Sequence, residues 1–148
     1  PYCSRIDPLL HQAVKDPELK GKINLVIKHF PLPFHKGAKP AAKAALAAGE
    51  QGNMKFWDMM AKMYDNQKTL TSENFRKWGK EIGLNMTKFE KDLKTNDKAY
   101  SELIEEDTQL GIKTAKVRGT PSVFIGGWEL RDRSMQGIKN IIKDKKLL

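Results

Sequence analysis

The side chains able to do chemistry are few in this chain of 148 residues, and the first of them stand at its start. Pro1-Tyr2-Cys3-Ser4-Arg5 holds the one cysteine. It reads as the tail of a Cys-Pro-Tyr-Cys motif opening a helix, with the first cysteine expected immediately before Pro1. A thiolate at a helix N-terminus is stabilised by unpaired backbone N–H groups and the positive end of the dipole. The chemistry suggested is thiol–disulfide exchange. A single cysteine cannot staple a fold, and the bland alternative is a free thiol with no role. The second candidate is Arg118-Gly119-Thr120-Pro121, where Gly119 permits tight backbone geometry and Thr120-Pro121 leads into an apolar run. A proline there belongs at a strand's first residue or at an edge, and the Thr120–Pro121 bond is a candidate for the cis form. Alone, it is an ordinary turn. His11, His29 and His35 show no metal-ligand spacing with Cys3 or with paired carboxylates, so no metal and no cofactor are expected.

Composition narrows the class. Hydrophobic residues are 39% and charged residues 30%, an ordinary globular balance with enough chain for one core. No apolar run approaches the ~20 residues of a membrane helix, so stable membrane insertion is not expected. The net charge of +9 raises nucleic acid as a partner. The lysines argue against it, being spread along nearly every helix without aromatic interleaving or a Gly-rich basic loop. They read as a solvated surface, with weak attraction for acidic partners or anionic headgroups. The chain begins with Pro1 rather than methionine and reads as a processed, trimmed or partly recorded polypeptide, so a missing signal segment says nothing about compartment.

The elements that must position these residues follow from periodicity. Ile6, Leu9, Leu10 and Val14 predict a helix from Pro1 to about Asp16, kinked or divided at Pro8. Lys22 to Phe30 switches to alternation, with Ile23, Leu25 and Ile27 on one face, and predicts a strand. Helices are expected from Pro40 through Ala41–Gln51, from Met54 to Asp65 with Asn53 as cap, after Thr71, after Asn85, and from about Asn96 to Lys116. Ser122–Ile125 and Trp128–Arg131 around Gly126-Gly127 predict a β-hairpin, and Ser134 caps a last helix carrying Met135, Ile138, Ile141 and Ile142. The aromatic stripes Phe56/Trp57 and Phe75/Trp78 read as core.

This combination resembles the thioredoxin superfamily, and within it the DsbA-like branch. Pro31-Leu32-Pro33-Phe34-His35, the alanines of 41–48, and Glu50-Gln51-Gly52 before Phe56-Trp57 support the likeness. Two departures stand out: Asn53-Met54-Lys55 lengthens the join before Phe56-Trp57, and the first cysteine with its preceding strand is absent from residues 1–148. The resemblance implies an α/β thioredoxin-like fold lacking that first central strand, a single domain over 1–148 with a helical insertion over about 37–117.

It also implies a DsbA-like disulfide oxidoreductase of the periplasm or another extracytoplasmic space. Its partners would be cysteine-containing protein substrates and a redox partner protein. Cys3 would be the resolving thiol, which attacks the mixed disulfide. Pro1 and Tyr2 would be the dipeptide that tunes the first thiol. Pro121 would pack on the disulfide, and Thr120 would hydrogen-bond an extended substrate as an added strand. Two other classes share the scaffold: a redox-inactive peptide-binding module, and a glutathione-dependent conjugating enzyme or isomerase.

Overall fold

The computed structural model describes residues 1–148 as seven α-helices, one short 3-10 turn and one two-stranded sheet. They form two compact units, residues 1–27 with 117–148, and residues 28–116.

In the first unit, α1 runs over Tyr2–Ala13 as one helix with Pro8 inside it. Of the two outcomes expected at Pro8, a kink or a division, the division does not occur. Proline removes one N–H from the helix ladder, and each half of the helix keeps a buried anchor, Ile6 before the proline and Ala13 after it. β1 (Phe124–Ile125) and β2 (Trp128–Glu129) pair antiparallel, with Phe124 opposite Glu129 and Ile125 opposite Trp128. The turn uses Gly126 and Gly127 at φ 55° and 89°, the left-handed pair that a two-residue hairpin demands. The strands are shorter than expected, although Leu130 N–H still donates to Val123 C=O at 2.8 Å. α7 (Met135–Asp144) closes this unit, capped by Ser134 Oγ accepting from Gly137 N–H at 3.0 Å. Ala13, Leu19, Leu130, Ile138 and Ile142 make this unit's core.

The second unit is helical. α2 (Ala38–Gly49) carries Pro40 in its first turn and buries Ala44, Ala45, Ala47 and Ala48 completely. Small side chains let α3 (Asn53–Asp65) approach closely, bringing Met59 and Met63 into the core. Asn53 is the first residue of α3 and not its cap; Gly52, at φ 133°, takes that place. Thr71 caps α4 (Ser72–Glu81) and Asn85 caps α5 (Met86–Thr95), each accepting the N–H three residues on. α6 (Asp97–Lys113) passes through Gly111 without a break and stops before Lys116. Phe75, Trp78, Phe89 and Tyr100 complete the core, and Phe56 packs against it half-buried, so the stripe Phe75/Trp78 lies in the core as expected while Trp57, half-buried, lies outside it.

One expected element is missing as a ladder. Residues 23–32 carry no strand, and the only sheet pairs β1 with β2. Ile23, Leu25 and Ile27 are nonetheless half-buried, while Asn24, Val26 and Lys28 are exposed. The alternation survives without its hydrogen bonds, because no segment of residues 1–148 pairs with it, and a strand is defined by its partner.

Candidate active site

The opening of α1 is built from Pro1, Tyr2 and Cys3. Pro1 occupies the N-cap position and offers no capping side chain, and the first turn holds no acidic residue. The positive end of the helix therefore has no local counter-charge. Ser4 Oγ donates to Pro1 C=O at 3.0 Å, closing the first turn. Cys3 is a half-buried free thiol, whereas Tyr2 is 65% exposed, with the Arg5 guanidinium 5.4 Å from its ring centroid.

One turn beyond Cys3 on the same face stands Asp7, since residues four apart on a helix are neighbours. Asp7 is half-buried, and burial pushes its carboxyl above the usual carboxylate range, partly opposed by His11. His11 Nε2 lies 3.6 Å from Asp7 Oδ1. Residue spacing alone does not single out Asp7. The i, i+4 relation to Cys3 was its available signal.

Thr120 and Pro121 fall in the same compact unit as Pro1, Tyr2 and Cys3. The Thr120–Pro121 bond is cis, and residues 119–123 are all half-buried. Two side chains tie this loop. Ser122 Oγ donates to Gly119 C=O at 2.9 Å, and Arg133 Nη2 donates to Pro121 C=O at 2.9 Å. Arg133 stands in the stretch between the hairpin and α7, and sequence spacing gave no hint of its bond to Pro121.

The three histidines separate. His11 is half-buried beside Asp7, His35 is exposed, and His29 is buried in the second unit. Burial holds the His29 imidazole below its ordinary value, with Asp107 opposing. No cluster of His, Cys, Asp and Glu is placed to hold a metal ion. No helix is long and apolar enough to cross a membrane.

A thioredoxin family model matches residues 1–144. The probable disulfide bond formation protein D of Bacillus cereus is 30% identical, the match covering 99% of this chain and 69% of that protein. The crystal structure of the thiol-disulfide exchange protein alpha-DsbA2 from Wolbachia pipientis superposes with a TM-score of 0.80 at 23% identity, covering 99% of this chain and 75% of that one. The chain belongs to the thioredoxin superfamily, in its DsbA-like branch. Na(+)/H(+) antiporters NhaA 1 also match, that of Salinispora arenicola at 31% identity over 128 residues and that of Mycolicibacterium vanbaalenii at 26%. The match takes in 86% of this chain but only 18% and 20% of those antiporters, so the chain spans about a fifth of their length.

Proposed function

We propose that this chain belongs to a thiol–disulfide oxidoreductase that works on cysteines of other proteins outside the cytoplasm. Its motif is Cys-Pro-Tyr-Cys, with the first cysteine immediately before Pro1. The observation that carries the reading is the placement of Cys3, half-buried in the uncapped first turn of α1, within a chain of the DsbA-like family.

In the proposed cycle the first cysteine's thiolate attacks a substrate disulfide. A mixed disulfide forms, and one substrate sulfur leaves with the electron pair of the broken bond. Cys3, as thiolate, then attacks the enzyme-side sulfur. The substrate's second sulfur leaves as thiolate, and the enzyme is left with a disulfide between its own cysteines. Run in reverse, the same steps donate a disulfide to a substrate. A redox partner protein resets the pair. Pro1 and Tyr2 tune the first thiol, and Thr120-Pro121 receives the substrate backbone. Half-burial suits Cys3 to the second role, since a resolving thiol must be shielded from the bulk and near the mixed disulfide. Coding sequence upstream of Pro1, followed by an insulin-reduction assay on the extended protein, tests this. A cysteine there and turnover above the uncatalysed rate are expected, and any other residue at that position sinks the dithiol mechanism.

The alternative, a redox-inactive peptide-binding module using the Thr120-Pro121 edge, is supported by the single cysteine of residues 1–148. Peptide binding without exchange in the extended protein would favour it.

A further inference from the structure

Lysine and arginine are distributed differently in this chain. Lysines occur along nearly every helix, whereas the five arginines are Arg5, Arg76, Arg118, Arg131 and Arg133. All but Arg76 fall in the unit that holds Cys3 and Thr120-Pro121. Arg118 precedes Thr120 by two residues. Arg133 reaches back to the same loop and donates to Pro121 C=O at 2.9 Å. Arg131 lies two residues before it. All three are exposed.

The carboxylates of this unit leave those guanidiniums available. Asp16 and Glu18 are both engaged by Lys139, each at 3.1 Å. Asp7 is half-buried against His11. Asp132 folds onto the first turn of α7, where a Cβ added at Gly137 would lie 2.7 Å from its carboxyl carbon. Asp144 belongs to the last turn of α7, and Glu129 sits on β2. A guanidinium has five N–H donors in a planar fork, and the bond to Pro121 uses part of one fork only. Arginine, more than lysine, is the side chain suited to paired hydrogen bonds with a carboxylate.

We propose that Arg118 and Arg133 set substrate preference at the Thr120-Pro121 edge, selecting polypeptide segments with Asp or Glu beside the reacting cysteine. This rests on the reading that the edge receives substrate backbone, and it adds the chemical class of the segment. The bond to Pro121 C=O holds Arg133 beside the chain that lies along the edge, and Arg118 flanks it from the other side of the loop in sequence. Both act as specificity residues, with no part in the bond-making steps.

The test uses two fluorescein-labelled heptapeptides with serine in place of cysteine, one flanked by glutamates and one by lysines. Anisotropy titrations at low salt then read binding alone. The acidic peptide is expected to bind about fivefold more tightly, the upper end of what an exposed ion pair supplies. In Arg133→Gln and in Arg118→Gln the ratio should fall toward about twofold, and Arg118→Glu with Arg133→Glu should invert it. Lys20→Gln, which removes the same charge elsewhere in this unit, should leave the ratio unchanged. Equal binding of the two peptides overturns the preference while leaving the edge reading intact. A ratio that falls equally in Lys20→Gln reduces it to net charge and overturns the assignment to these arginines. Binding of neither peptide overturns both the preference and the edge reading.

Discussion

Asp107 offers the most discriminating perturbation of the helical unit. It is 6% exposed on α6, and its two oxygens have different partners. Oδ1 accepts from Lys28 Nζ at 2.8 Å, and Oδ2 accepts from the His29 backbone N–H at 2.9 Å. The Lys28 side chain is 61% exposed, so its ion pair is worth at most about 1 kcal/mol. The His29 N–H is buried, and leaving it unpaired costs about 1–3 kcal/mol. Asp107→Ala should therefore cost about 2–3 kcal/mol. Asp107→Asn keeps an acceptor for the N–H and should cost about 1 kcal/mol, and Lys28→Gln less than that.

Urea unfolding reads this directly. With a slope of about 2 kcal/mol per molar, Asp107→Ala lowers the midpoint by roughly 1–1.5 M without changing the slope. The acid limb carries a second signature. His29 has a folded value depressed below 6.5 by burial, so the unfolded chain takes up that proton first. Stability is then lost as pH falls through 6.5 toward the folded value. Asp107 raises the folded value, so Asp107→Ala should steepen the loss. A cost for Lys28→Gln as large as that for Asp107→Ala would make the exposed ion pair and not the buried N–H the source of stability, and would refute this assignment.

Two further outcomes follow from the other unit. Gly137→Ala would place a Cβ 2.1 Å from the Asp132 backbone oxygen, so calorimetry should show a loss of about 3 kcal/mol or more, the upper range for overpacking against backbone. Asp7→Asn should raise the melting temperature at pH 7. The folded carboxyl value lies above 3.8 because burial disfavours the charge, so the charged form weakens the fold at neutral pH. The difference between variant and parent should shrink as pH drops through the raised value toward 3.8 and the parent protonates; a difference that grows there contradicts the assignment.

Local signals account for what the sequence made legible. Thr71, Asn85 and Ser134 announce their helices because a cap depends on a bond only three residues long. Gly126-Gly127 announces the hairpin because left-handed backbone there favours glycine. The stretch at 23–30 shows the limit: alternation reveals which side chains are covered, while a ladder needs a partner elsewhere in the chain. Asn53 was misplaced by one residue because Gly52 can also open a helix. Asp107 was invisible for a related reason. Beside Glu105 and Glu106 it looks like one more charge on a solvated face, and its partners are 78 and 79 residues away. Arg133 similarly meets Pro121 across 12 residues. At the candidate site, Cys3 and Thr120-Pro121 were legible as motifs, while the side chains around them emerged from the fold.

The central claim is that Cys3 resolves a mixed disulfide made by a cysteine immediately before Pro1. Its most direct measurement is trapping in the extended protein: Cys3→Ser and the parent are each incubated with a disulfide-bonded substrate, quenched with acid, and resolved by non-reducing electrophoresis and mass spectrometry. The account predicts that Cys3→Ser accumulates a covalent enzyme–substrate adduct through the upstream cysteine while the parent turns over and shows almost none. Equal turnover by both proteins, with no adduct in either, would contradict it.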